Sequence, residues 1–229
     1  CVLGMSAASF RLRPPGPGDL RLMTAPLDDP TRELIGFAAV IARGGEAELR
    51  DRVARLLAAR VPAVWVEELL LQSLLMTGYP RTLVAARAWR DGSGLPAATT
   101  DPDADYGQAV EWTRRGERTC ATVYGDHYAP LREHVRRLHP ALDAWMITEG
   151  YGRTLGRPGL DLLRRELCVV VQTAVLEAPR QLHSHLRGAR NAGARPEQVE
   201  AALALVRPLL EPGWADTAWR LWVRVRDGQ

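Results

Sequence analysis

The chain has 229 residues, of which 46% are hydrophobic, and a formal net charge of +3. That composition excludes a disordered segment and supplies enough apolar side chain for a buried core. The 30 basic residues are all arginine, which excludes Schiff-base lysine chemistry, and no apolar run reaches the ~18–20 residues that span a membrane.

The arginines are interleaved with Asp and Glu, some of them in pairs such as Arg114-Arg115, Arg136-Arg137 and Arg164-Arg165. This reads as a solvated surface rather than the one-sided basic face of a nucleic-acid binder. Neither nucleic acid nor a membrane is expected as a partner. The three cysteines, Cys1, Cys120 and Cys168, include no Cys-x-x-Cys pair. So sparse and odd a set argues against a disulfide framework, and with no convincing signal peptide the cytoplasm is the expected compartment.

Residues 1–28 read as irregular, because Pro14-Pro15-Gly16-Pro17-Gly18 lacks amide donors and is costly to order. From Asp29 the pattern is helical almost throughout. Asp29-Pro30 reads as an N-cap and first helical position, and Gly44-Gly45 ends that helix. A second helix is expected over about 46–60. A third, from Pro62 toward Gly78, carries Val64, Trp65, Glu68, Leu69, Leu71, Gln72 and Leu75 at helical spacing. Pro80–Arg90 forms a fourth, and residues 91–105 read as a linker rich in Gly, Pro and Asp.

Helices resume at Tyr106, break at Tyr124-Gly125-Asp126, and run again from about Pro140 to Thr154. After the turn Arg157-Pro158-Gly159 come a long apolar helix (160–176), a His-bearing helix from Pro179 to Gly193, and two more over about 196–210 and 214–225. No strand pattern is sustained, so the expected fold class is all-α.

The halves repeat. Pro30-Thr31-Arg32-Glu33-Leu34 parallels Leu163-Arg164-Arg165-Glu166-Leu167, and Arg52 falls opposite His185 at the same offset of 133. Gly78-Tyr79 pairs with Gly213-Trp214 only after a slip of two. The expected organisation is an irregular segment (1–28), a degenerate first repeat (29–90), a linker (91–105), and a helical extension with a second, site-bearing repeat (106–229).

Glu166 and His185 lie 19 residues apart on consecutive helices, so a carboxylate and an imidazole can meet in one cleft and move a proton. Gln181, at i−4 from His185, is expected on the same helical face. His183 is about 200° around the helix from His185, which disfavours a shared metal. Arg52 is expected to pair with Glu33 or Glu48. Tyr124, Asp126, His127 and His134 read as loop and helix-surface features, and the tryptophans at 65, 89, 214, 219 and 222 as core or subunit contacts.

Gly150-Tyr151-Gly152-Arg153-Thr154-Leu155-Gly156-Arg157-Pro158-Gly159-Leu160, then Glu166, then Gln181-Leu182-x-x-His185-x-x-x-Ala189-x-x-x-Gly193, resembles the carboxymuconolactone decarboxylase family. The run from Glu67 to Pro80 is similar to the end of that family's repeat. The resemblance implies a helical bundle, a homotrimer with pseudo-sixfold packing, and a cleft needing no cofactor and no metal. It implies catalysis by Glu166, His185 and Gln181 on a small anionic lactone or keto acid. The family also includes peroxide-reducing, alkylhydroperoxidase-like members, which carry a Cys-x-x-Cys and a His four positions later. That motif would place its cysteines on Ala178 and Gln181, so a lyase is expected ahead of a peroxiredoxin. A non-catalytic oligomeric binding protein is the remaining alternative.

Overall fold

The computed structural model describes residues 26–228; residues 1–25, which hold most of the segment expected to be irregular, lie outside the described residues, as does Gln229. All regular structure among the described residues is helical. The first repeat comprises α1 (Asp29–Arg43), α2 (Glu46–Ala58) and α3 (Ala63–Ser93). An intervening segment supplies α4 (Ala109–Tyr124), α5 (Tyr128–Leu138) and α6 (Pro140–Trp145), which continues as a π-helical stretch, Met146–Leu155. The second repeat comprises α7 (Leu162–Val175), α8 (Pro179–Asn191), α9 (Pro196–Val206) and α10 (Pro212–Arg226).

Local chemistry starts the two repeats alike. The cap of α1 is Asp28 rather than Asp29: its carboxylate accepts from the Thr31 amide at 2.7 Å, and Asp29 and Pro30 are the first helical residues. Asp161 caps α7 by accepting from the Arg164 amide at 3.0 Å. Each cap satisfies an amide the helix itself cannot bond. The expected third and fourth helices are the two arms of α3, separated where Gly78 (φ +70°) breaks the helical path just before Pro80. Only glycine takes that conformation without strain.

The segment after Gly78 corresponds to α10 without the expected slip of two residues. Trp89 and Trp222 are both buried. Each donates its indole N–H to a glutamate 22 positions earlier, Trp89 to Glu67 at 2.6 Å and Trp222 to Glu200 at 3.1 Å. The two Trp–Glu pairs keep the spacing that relates Glu33 to Glu166.

The first helices of the repeats form the centre. Residues 34–42 of α1 and 165–175 of α7 are all buried; each fully buried Leu, Ile or Phe contributes about 1.5–3 kcal/mol. The two helices run side by side in the same direction. Arg164 Nε donates to Thr31 Oγ1 (2.8 Å) near their starts, and Arg43 pairs with Glu177 (3.0 Å) at their ends. Thr31 and Arg164 hold the same place in their repeats, as an approximate twofold relation between the repeats requires.

Arg165 corrects the reading of the arginine pairs as solvated surface: it is fully buried. Its guanidinium donates to Glu68 Oε2 (2.7 Å), to Gln72 Oε1 (3.3 Å) and to the Leu160 carbonyl (3.0 Å). Glu68 also holds Arg157 (3.0 Å), which in turn grips Asp101 (2.7 Å) and Asp103 (2.8 Å). Asp103 accepts from the indole of Trp112 at 2.7 Å. The carboxyl end of the stretch read as a linker is therefore pinned by ion pairs between the repeats.

The intervening helices build a second, smaller core from Cys120, Val123, Ile147, Tyr151 and Leu155 against Val169 of α7. Here α4 meets the π-helical stretch backbone to backbone. A Cβ on Gly116 would collide with the Ile147 carbonyl, and one on Gly152 with the Trp112 carbonyl. Asp143 fastens α5 to α6 by pairing with Arg132 and with Arg136 (2.9 Å).

Replacing Gly116 by Ala should force these backbones apart at a cost of about 1–3 kcal/mol, lowering the melting temperature by several degrees. An unchanged melting curve would show that the crossing is not tight. The hydrogen bond and charge of Arg132 hold the Asp143 carboxyl below the ordinary carboxylate range. Its stabilisation is thus present above the unfolded value of about 3.9 and lost as pH falls through the lower folded value. Asp143→Asn should lower the urea midpoint at neutral pH and flatten its decline below about pH 4; a decline as steep as in the parent would refute the assignment.

Candidate functional site

The two side chains singled out by spacing meet. Glu166 is on the first full turn of the buried α7 and is itself fully buried; His185 is in the middle of α8 and is 6% exposed. His185 Nδ1 lies 2.9 Å from Glu166 Oε2. A carboxylate accepts a hydrogen bond from an N–H, and the contact fits either a neutral Nδ1–H imidazole or an imidazolium. The second oxygen, Glu166 Oε1, is buried with no hydrogen-bond partner among the described residues. It is an unused acceptor beside His185.

The close approach is made possible by Gly188, one turn after His185. A Cβ there would strike Glu166 Oε2 and the Val123 side chain. Pro179 in the first turn of α8 presets its backbone for the helix. Glu177, at φ +55°, makes the sharp reversal from α7 into α8.

Sequence reasoning missed the roof of the site. Tyr124, at the end of α4, sets its ring edge-on to His185 (centroids 6.5 Å, 66°) and to Tyr151 of the π-helical stretch (6.0 Å, 78°). Burial, with the nearby Glu166 charge, pushes the Tyr124 phenol up to about 12, and burial lifts Tyr151 well above its ordinary value. Both phenols are therefore hydroxyl donors at neutral pH. The reading of Tyr124 as a surface feature is corrected: it is half-buried against the pair. No periodicity in its own helix announces this. The one usable sign was Gly116, a small residue at the helix crossing.

Both Cys120 and Cys168 are free and buried. Burial raises the Cys120 thiol to about 12 and Cys168 further still. A thiolate nucleophile, which peroxide reduction through cysteine needs, is not favoured at either. Gln181 is not brought to the pair: it is exposed on the first turn of α8 and makes no hydrogen bond to Glu166 or His185. His183 is half-buried, and His134 is exposed.

Outside the roof lies an open polar depression of about 340 Å³, lined by Tyr124, Gly125, Asp126, His127, Arg187, Arg190 and Asn191 among others. In the first repeat the corresponding pair is Arg52 and Glu33, 3.2 Å apart. Glu48 instead accepts from the Gly45 amide and caps α2. Among the described residues no helix is long and apolar enough to cross a membrane.

The model of the carboxymuconolactone decarboxylase family matches residues 18–91 and 140–221, more than half of the chain and in two separate regions. No curated protein matches the sequence. The repeated helices, the Glu166–His185 pair and the two matched regions agree, and the chain belongs to the carboxymuconolactone decarboxylase family as a two-repeat member.

Proposed function

We propose that the protein is a cofactor-independent lyase that removes carbon dioxide from a small anionic lactone or keto acid. The observation that carries this reading is the buried contact between His185 Nδ1 and Glu166 Oε2, roofed by protonated phenols. In the step envisaged, the bond between the carboxylate and its neighbouring carbon breaks, and its electron pair enters the conjugated carbonyl as an enolate. Donors around the cleft stabilise that charge where water is excluded. A proton is then delivered to carbon from Nε2–H of a doubly protonated His185, which is left neutral, while Glu166 accepts from Nδ1–H and balances the ring's charge before the transfer. Gln181, exposed one turn before His185 on α8, would contact the substrate from outside the pair.

Three chains around a common axis complete the reading. Its support is the apolar side of α3, where Leu71, Leu75, Tyr79 and Leu83 are exposed, a face that neighbouring copies would cover. The free, buried thiols of Cys120 and Cys168 are in keeping with a cytoplasmic location.

His185→Gln and Glu166→Gln should each reduce carbon dioxide release from carboxymuconolactone or a β-keto acid by about 10²–10⁴-fold with the circular-dichroism spectrum unchanged. Turnover at the parent rate in both would remove the assignment. Gly188→Ala should push Glu166 aside and cost both turnover and about 1–3 kcal/mol of stability. Parent-like activity in that variant would show that the contact need not be tight.

A further inference from the structure

The two homologous pairs differ in exposure. The Arg52 and Glu33 side chains are 21% and 18% exposed, whereas those of His185 and Glu166 are 8% and 0%. The difference follows α4, which packs on α8: its Val123 is fully buried and abuts Gly188, and its Tyr124 covers His185. Residues 92–139, which include all of α4, fall outside the two regions that match the family. The cover over the pair thus comes from a segment outside the two matched regions.

The same insertion shapes the depression outside. Asn191 of α8 donates to the Val123 carbonyl at 2.9 Å and ties the end of α4 in place. Gly125, at φ +53°, then turns the chain away directly after Tyr124. Tyr124 is left as a shared wall, with its ring against His185 on one side and lining the depression on the other. The charges facing the depression are unequal. Asp126 is its acid, against Arg187, Arg190 and Arg226. Arg226 pairs with Glu200 and Asp227, and Arg190 donates to the Ala194 carbonyl. Arg187 makes no ion pair among the described residues and is the cation with capacity to spare.

We infer that the insertion gives this chain a gated site, an outer vestibule where Arg187 and Arg190 hold the carboxylate of a small organic anion, and behind it the buried Glu166–His185 pair, covered by Tyr124. A planar guanidinium suits a carboxylate because it offers parallel N–H donors in a fixed fork. Tyr124 acts as a positioning and gating residue. Its ring decides how much of a molecule anchored at the arginines reaches His185. The purpose of the covered pair rests on the proton-transfer reading; the vestibule and the gate do not.

The test uses reactions that need no turnover. Succinate serves as the anion in calorimetry, and diethyl pyrocarbonate, which acylates accessible imidazole, reports on each histidine by peptide mass. In the full chain His185 should react at least about tenfold more slowly than His134, which is exposed. Tyr124→Ala should raise the His185 rate about tenfold while Tyr124→Phe keeps it slow, and His134 should react equally in all three. Succinate should bind the parent and His185→Gln alike and Arg187→Gln about tenfold more weakly, and should protect His185 in the Tyr124→Ala chain. Equal His185 rates with and without the Tyr124 ring would overturn the gate, and equal succinate binding with and without Arg187 would overturn the vestibule. Loss of the lyase reading alone would appear as parent-like turnover in His185→Gln with these results intact.

Discussion

A helix buried on every side cannot hold a charge that lacks a partner, because taking an ion out of water costs several kcal/mol even after the surroundings relax. α7 holds two, at adjacent positions. Arg165 and Glu166 point about 100° apart, and each has been met by a different neighbour. Arg165 reaches across to Glu68 of the first repeat, and Glu166 reaches to His185 of the second. The placement of α3 and α8 around α7 follows from these two demands. Burial lowers the Arg165 pKa against the opposing pull of Glu68, so removing Glu68 would strand a cation in the middle of the fold. The same network fixes Arg157 and, through Asp101 and Asp103, the entry to the insertion. Two buried charges on one helix thus face two different neighbours. One ties the repeats together, and the other keeps one carboxylate oxygen without a partner among the described residues.

Much of this was legible in the sequence, for local reasons. Asp and Pro beside apolar periodicity mark where helices start, Gly marks where they end, and both depend on a few residues of backbone. The equal offsets of Glu33 and Glu166, and of Arg52 and His185, carried the repeat and the second-repeat pair. A 19-residue separation across one helical reversal leaves little freedom in where the second side chain lands. The Asp28 cap was misassigned by a single position, which is the ordinary uncertainty of a helix boundary.

What could not be read is what packs on what. Nothing in residues 106–124 says that Tyr124 will lie over His185 rather than in water. That depends on α4 crossing the π-helical stretch at Gly116 and Gly152 and then resting on α8 at Gly188, three close approaches between segments distant in sequence. Arg165 was misread for a similar reason. An arginine beside another arginine looks like surface until Glu68, 97 positions away, is found against it. Gln181 shows the limit of helical spacing. Four residues advance about 400°, so it shares a side with His185, but it lies a full turn nearer the helix start, beyond the reach of the roof.

The two repeats differ in the chemistry their paired groups allow. Both keep a glutamate on the first helix and a cationic or basic group on the second, at matching distance: 3.2 Å in one and 2.9 Å in the other. In the first repeat the group is a guanidinium, which stays protonated at any pH a protein meets. Arg52 therefore neutralises Glu33 permanently, and the pair can only hold helices together. In the second repeat an imidazole stands in the same place, a group that, unlike a guanidinium, can serve as acid or base. A permanent ion pair tolerates partial exposure, since water costs it little and the fold gains little from sealing it. A proton-transfer pair benefits from seclusion, because fixed donors act more strongly where water cannot compete. The insertion covers the imidazole-bearing pair with Val123 and Tyr124, so the extra helices sit where seclusion changes what the pair can do.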